Sequence, residues 1–568
     1  MVLHVCAKVS AVRFLTGLVF VFAACGFAVR GAYAVQCAVV HHGPPSDADK
    51  AYLAADYKTA ENLYRAQLAA NPANSDVTAG LVHSLLQEQK IQEAADAVNA
   101  ALAANPHSPA LITLRGEVEL RQGEPWTALG SAGEAFKLDP CNPRMRLLLA
   151  NLSAIDSYYA SARNLLVSAH ALDPEDQEIR REWIETLPQN QQITELKAYL
   201  ATPRGDDADT TKNLRKYLDN LTSEAGAQLP KCELASATPS TEIPFTDIMA
   251  DATHVAAFGL EVKLNGHDVH LEIDTGASGL AISRTVAKRA GLKQVGEAEI
   301  SGIGDQKASK GYQALVDSIR IGGIEFKNCV VSVIDSPNVI DVDGLIGMGV
   351  FSQFLVTLDY PGHKLLLDSL PPRPGESGTA APALNTVGEV GAGSPFSAAA
   401  VGQPGTSSAA PEFRDRYVAP EMKDYTHVYR IGSKLLLPVR LNDKANRLFA
   451  IDTGSWETTL SVQAAREVTN VHGNSVAEIE GLSGEVKKVY VAGDVTFRFA
   501  QLSERDHHVY TFDTSNISRE MGMEISGFLG STTLELLTIH IDYRDGLVKF
   551  DYDPKRVPRA DYRNGLVR

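Results

Sequence analysis

The sequence is poor in several of the features that mark common functions. Its 568 residues include only six cysteines, and no two form a C-x-x-C pair, so the usual spacing of a zinc or thioredoxin-type site is missing. Lys and Arg total 53 against 69 Asp and Glu, a net charge of −16. That balance argues against nucleic acid or an anionic membrane surface as the main partner. No G-x-G-x-x-G opens a helix at Gly344 to Gly349, which removes a dinucleotide fold there. No Ser-His-Asp or Cys-His spacing stands out. The adjacent pairs His41-His42 and His507-His508 suit surface loops better than a shared metal ion, and no cofactor is implied.

Long apolar runs are also scarce. Phe14 to Ala28 is apolar but short for a membrane span. Lys8 and Arg13 precede it as a positive region, and Ala32-Tyr33-Ala34 follows, so residues 1–34 have the layout of an export signal cleaved after Ala34. Two alternatives stay open: lipidation at Cys25, after Phe22-Ala23-Ala24, and an uncleaved anchor. All three put the mature protein outside the cytoplasm, periplasmic or extracellular, with a membrane tie only through the leader or a lipid. Cleavage after Ala34 leaves Cys37, Cys141, Cys232 and Cys329. A Cys232–Cys329 disulfide would fit an oxidising compartment, but the preferred reading is that both are buried or free thiols.

What is present is repetition. The chain is too long for a single core, and 44% hydrophobic content suffices for three or four packed domains. Asn71-Pro72, Asn105-Pro106, Asp139-Pro140 and Asp173-Pro174 recur every 34 residues, as do Ala60, Ala94, Ala128 and Ala162. Small residues let two helices approach, and Pro punctuates the turn between them. This pattern resembles the tetratricopeptide repeat over residues 46–176, with a closing helical cap to Leu200. Such arrays bind peptides or proteins on a concave surface, or act as spacers or dimerisation modules. Residues 203–240 are polar and read as a linker. Residues 242–370 and 425–555 alternate as short β-strands. Between them, 27 of the 40 residues from 371 to 410 are Gly, Ala, Pro or Ser. We therefore read residues 371–412 as a flexible linker.

The two β regions copy each other. Val262-Lys263-Leu264-Asn265 matches Val439-Arg440-Leu441-Asn442, and Ile273-Asp274-Thr275-Gly276 matches Ile451-Asp452-Thr453-Gly454. Gly344-Leu345-Ile346-Gly347 matches Gly527-Phe528-Leu529-Gly530, and Leu358-Asp359-Tyr360 matches Ile541-Asp542-Tyr543. A single Asp-Thr-Gly arises by chance about 0.1 times in a chain of this length; two, each after an apolar strand and each with a matching downstream Gly block, do not.

An apolar strand ending in Asp-Thr-Gly, with two apolar residues and a Gly about 70 residues on, resembles the pepsin and retropepsin aspartic proteases. The resemblance implies a multidomain chain, an all-α repeat solenoid followed by two all-β acid-protease lobes. It implies an endopeptidase in which Asp274 and Asp452 share one proton and activate a water against a peptide bond, with no metal. It assigns Thr275 and Thr453 to the interlock of the two loops, and Gly276 and Gly454 to their tight turn. Ala277 and Ser455 stand where a hydroxyl can reach the aspartate. Ser278 fits the family pattern; Trp456, in the matching position, departs from it. Leu345, Ile346 and Gly347, with Phe528, Leu529 and Gly530, are assigned to bracing the loops. Gly302, Ile303 and Gly304, with Gly481 and Leu482, fall at flap tips over a peptide substrate. Asp359 and Asp542 read as structural strand ends. The competing function is a non-catalytic peptide- or protein-binding scaffold on a degenerate protease fold.

Overall fold

The computed structural model describes residues 4–5, 37–227, 232–236, 240–249, 255–277, 279–300, 309–334, 343–374, 413–473, 480–481, 484–486 and 488–556. Lys8, Arg13, Cys25 and the Ala32-Tyr33-Ala34 site therefore lie outside the described residues. The two-residue strand His4–Val5, within the segment read as a leader, pairs with Leu502 and Ser503. Among the described residues no helix is long and apolar enough to cross a membrane.

The 34-residue period folds as antiparallel helix pairs. Helices Tyr57–Ala70, Ile91–Ala104, Pro125–Leu138 and Tyr159–Leu172 begin 34 residues apart. So do their partners Ser75–Gln87, Pro109–Arg121, Pro143–Ile155 and Gln177–Glu185. The second set is started by Asn74, Ser108, Asn142 and Asp176, whose side chains accept backbone N–H groups of the first turn. Ala60, Ala94, Ala128 and Ala162 have no exposed surface, as close helix contacts require.

Residues 203–240 are not simply a linker. They contain the 20-residue helix Ala208–Ala227. Leu214, Tyr217, Leu218 and Leu221 recur at helical spacing, and the first three pack on a core of Ile184, Leu196 and Tyr199. A sparse apolar stripe among charges is easily mistaken for loop.

Each β lobe is built around an inserted strand. In lobe 1, Val255–Leu264 and His267–Asp274 form a hairpin across Asn265 and Gly266, whose φ values are 49° and 85°. Gly344–Gly347 then enters parallel to His267–Asp274 and antiparallel to Leu280–Ser283. Lobe 2 repeats the plan: Gly527–Leu529 runs parallel to Ala445–Ile451 and antiparallel to Thr459–Ser461. Between the lobes lies a six-stranded sheet at whose centre Phe354–Asp359 pairs antiparallel with Leu537–Asp542. Asp359 accepts from Gly362 N and Thr538 Oγ1 and pairs with Arg556; Asp542 accepts from Asp545 N. A single apolar core runs through both lobes, from Leu260 to Phe550.

Two disulfides are present, Cys37–Cys141 and Cys232–Cys329. The second corrects the free-thiol reading, and its cause is register. Glu233 and Leu234 pair with Lys327 and Phe326, which carries Cys232 to within 4.3 Å of Cys329, Cα to Cα.

The helical array is not an isolated module. Ala128, Ala132, Leu148, Leu152 and Ile155 share a core with Leu436, Leu448, Ala450, Met521, Ile525 and Phe528 of lobe 2. Around it Arg447 Nη1 meets Glu124 Oε1 at 3.0 Å, and the buried Arg416 meets Asp156 Oδ1 at 2.8 Å. Ser161 N donates to Asp415 Oδ1, and Glu524 N to Arg121 O. Gly123 lies at the contact with φ 72°, and a Cβ there would sit 2.4 Å from Glu524 O. The repeats between residues 121 and 161 thus touch lobe 2 and the segment before it as well as their neighbours in the array.

Candidate functional site

Two strands deliver one aspartate each to the junction of the lobes. Strand His267–Asp274 alternates, with Val269, Leu271 and Ile273 buried, so Asp274 emerges on the opposite face. Strand Ala445–Ile451 delivers Asp452 from the other side. The chain then turns at Thr275-Gly276 and Thr453-Gly454, and the two turns exchange hydrogen bonds. Thr275 N donates to Thr453 Oγ1 at 3.0 Å, and Thr453 N to Thr275 Oγ1 at 2.9 Å. Each hydroxyl donates in turn across the junction, Thr275 Oγ1 to Ile451 O and Thr453 Oγ1 to Ile273 O, both at 2.8 Å. Four reciprocal bonds with both threonines buried fix the spacing of the loops.

The glycines bring the carboxylates together. A Cβ on Gly276 would lie 2.8 Å from Asp452 Oδ1 and 3.1 Å from Asp274 Oδ1; one on Gly454 would lie 2.8 Å from Asp274 Cγ. Each carboxylate therefore packs over the other lobe's turn, where no larger residue fits. Asp274 Oδ1 accepts from Gly276 N at 2.8 Å and Ala277 N at 3.1 Å. Asp452 Oδ1 accepts from Gly454 N, and its Oδ2 from Ser455 Oγ, both at 3.1 Å. The hydroxyl that Ala277 lacks is thus supplied in lobe 2 alone.

Burial and the opposed charges set the electrostatics. Burial, then the Asp452 charge, then Glu272 raise Asp274 well above the ordinary carboxylate value, against two backbone hydrogen bonds. Burial also raises Asp452, opposed by Ser455, Gly454 and the positive charge of Lys434. Each carboxyl lies close enough to act on the other. Two neighbouring carboxyls screened from water hold one proton between them more readily than none.

Segments 345–347 and 528–530 run beside the two aspartate strands. Gly347 pairs with Asp274 in the parallel register, and Gly347 N donates to Gly279 O. Leu345 and Ile346 are buried beside Glu272 and Ile273. In lobe 2 Asp452 N donates to Leu529 O, and Phe528 pairs with Ala450. Gly530 N donates to Thr458 Oγ1, Ser531 Oγ to Thr453 O, and Thr458 meets Thr533. Trp456 is half-buried, and its carbonyl accepts from Thr532 N, so the loop keeps its path around it. Gly481 pairs with Gly484 in a short hairpin. Ser278, Gly302, Ile303, Gly304 and Leu482 lie outside the described residues.

Sequence reasoning missed several neighbours. Tyr360 and Tyr543, the last residues of the matched Leu/Ile-Asp-Tyr blocks, are buried, and burial raises both hydroxyl pKa values with the Asp274 charge among the smaller causes. Their duplication was the available signal. Glu272, two residues before Asp274, adds a third carboxyl and had no sequence signal beyond its spacing.

Comparison with known proteins agrees with this organisation. Residues 260–350 match the family model described as Aspartyl protease, and residues 51–118 match that of the Tetratricopeptide repeat. The chain thus carries an aspartyl-protease-like segment and a tetratricopeptide-repeat segment. No curated protein matches it. Among solved structures, a thermophilic tetratricopeptide-repeat protein of Thermus thermophilus is similar at 18% identity, covering 31% of this chain and 95% of its own, with a TM-score of 0.26. A retropepsin-like aspartic protease from Rickettsia conorii is similar at 22% identity, covering 24% and 92%, with a TM-score of 0.17. At those scores neither likeness bears on the geometry above.

Proposed function

We propose that the chain is an exported aspartic endopeptidase whose catalytic residues are Asp274 and Asp452. The observation that carries this reading is the packing of each carboxylate over the other lobe's glycine turn, under four reciprocal threonine bonds. In the proposed reaction the ionised partner takes a proton from a water, and the protonated partner donates a hydrogen bond to the scissile carbonyl. Water adds directly, and no acyl-enzyme forms. The two disulfides support an oxidising compartment. The face of the helical array turned away from lobe 2 recruits a protein substrate or partner.

Because Asp274 is raised, the shared proton is kept to higher pH than free carboxylates would keep it. Turnover is therefore fullest at mildly acidic pH and falls as pH rises through the raised Asp274 value. The same shift gives Asp274 a contribution to stability that is full below the ordinary carboxylate value, about 4, and is lost as pH rises from there through the raised folded value. The test is turnover of an unfolded protein. A statine-type peptide is expected to inhibit it and metal chelators to leave it unchanged; loss of activity on chelation would remove the proposal. Trp456, where the family pattern has a small hydroxyl residue, favours the second reading, a non-catalytic peptide binder. Tight statine-peptide binding without turnover of any substrate would select it.

A further inference from the structure

The two strands that carry the aspartates differ two residues upstream. Alternate residues of a strand share a face, so Glu272 stands on the face of Asp274, and in lobe 2 the matching residue is Ala450. Leu271 and Ile273 are buried in the core, while Glu272 and Asp274 are half-buried on the opposite side, toward the junction of the lobes. Ala450 is buried in an apolar cluster with Phe528, Phe512 and Val486. Ala450 thus belongs to the core that lobe 2 shares with the helical array, and lobe 2 has no carboxyl at the matching position.

Among the described residues the Glu272 side chain forms no hydrogen bond or ion pair. Burial and the Asp452 charge push its pKa up to about 7. Its own charge acts in turn on Asp274 and Tyr360. Lys434 acts on Asp452 and Glu520 instead. A half-buried carboxyl beside the two aspartates, with no hydrogen-bond or ion-pair partner among the described residues, is complementary to a cation that a peptide itself brings. The reach fits. Glu272 lies two residues, about 6.6 Å of strand, from Asp274, and an extended peptide advances about 3.3 Å per residue. The side chain above Glu272 is therefore within two residues of the scissile bond.

We propose that Glu272 selects a Lys or Arg side chain close to the scissile bond on the lobe 1 side of the cleft. This rests on the reading of the cleft as a peptidase site, and the experiment separates the two. Three statine-core peptides are compared by calorimetry at pH 7 on the full chain: norleucine on both sides of the statine, Lys replacing it on one side, and Lys replacing it on the other. One Lys peptide is expected to bind roughly ten- to a hundredfold more tightly than the norleucine peptide. The other gains nothing, because lobe 2 has Ala450 and no carboxyl at the matching position. Glu272→Gln is expected to erase the difference, and Glu272→Asp, which keeps the charge, to retain it. Equal binding of all three by the wild type, a gain on both sides, or a preference that survives Glu272→Gln would overturn the proposal. Tight one-sided binding without turnover of the matching cleavable peptide removes the peptidase reading and leaves the Glu272 preference standing. Folded wild type that binds none of the three overturns both.

Discussion

Lobe 1 and lobe 2 share a strand plan and hold it in different ways. Lobe 1 is stapled: the Cys232–Cys329 bond ties the entering strand to Ile324–Ile334. Its Asp274 loop has Ala277, and two backbone N–H groups donate to Asp274. Lobe 2 is buttressed. Its loop is rich in hydroxyls, with Ser455, Thr458, Ser531 and Thr533 bonded around Asp452 and Gly530. Its outer side shares an apolar core with the helical array, reaching Ala450 on the strand before Asp452 and its partner Phe528. One half-site is supported covalently and the other by docking of a separate domain, so the repeats belong to the support of the candidate site as well as to any recruitment.

That contrast can be broken from either side. Cys329→Ser removes a cross-link closing a 97-residue separation. It is expected to cost about 4 kcal/mol, seen by segment-resolved hydrogen exchange as faster exchange in residues 324–334 with lobe 2 unchanged. Equal loss in both lobes would show that the staple is not specific to lobe 1. Leu152→Ala removes a buried side chain from the array–lobe 2 core and is expected to cost about 3 kcal/mol. Exchange should rise in helix 143–155 and in lobe 2 strand 434–441 together. If only the helices respond, the docking does not stabilise lobe 2. Thr453→Val deletes two of the four junction bonds and leaves Thr275 N unpaired. About 2 kcal/mol is expected, shared by the lobes as a single lowered denaturation midpoint; a variant as stable as the wild type would make the interlock incidental.

Much of this was legible in the sequence, and the reason is periodicity. The 34-residue spacing of Asn/Asp-Pro and Ala set the helix pairs, and the duplicated Asp-Thr-Gly and Gly-apolar-apolar-Gly blocks set the lobes with their order and loop differences. The matched family segment covers lobe 1 alone; lobe 2 is legible because it repeats lobe 1. What was not legible depends on faces and register. Helix Ala208–Ala227 has an apolar stripe too thin to stand out among its charges. The Cys232–Cys329 bond follows from one strand's register, which composition does not specify. The docking of Leu148, Leu152 and Ile155 on lobe 2 uses residues that would serve equally as repeat core. Glu272 becomes a cleft residue only once Leu271 and Ile273 are seen to turn inward.

The central claim is that Asp274 and Asp452 of one chain make one site. Turnover of an unfolded protein by Asp274→Asn, by Asp452→Asn and by an equimolar mixture tests it directly, with thermal melting to confirm that both variants fold. The account predicts that each variant loses essentially all turnover and that mixing restores none. Residual activity near half in each variant, or recovery on mixing, would show that aspartates of different chains pair and would contradict it.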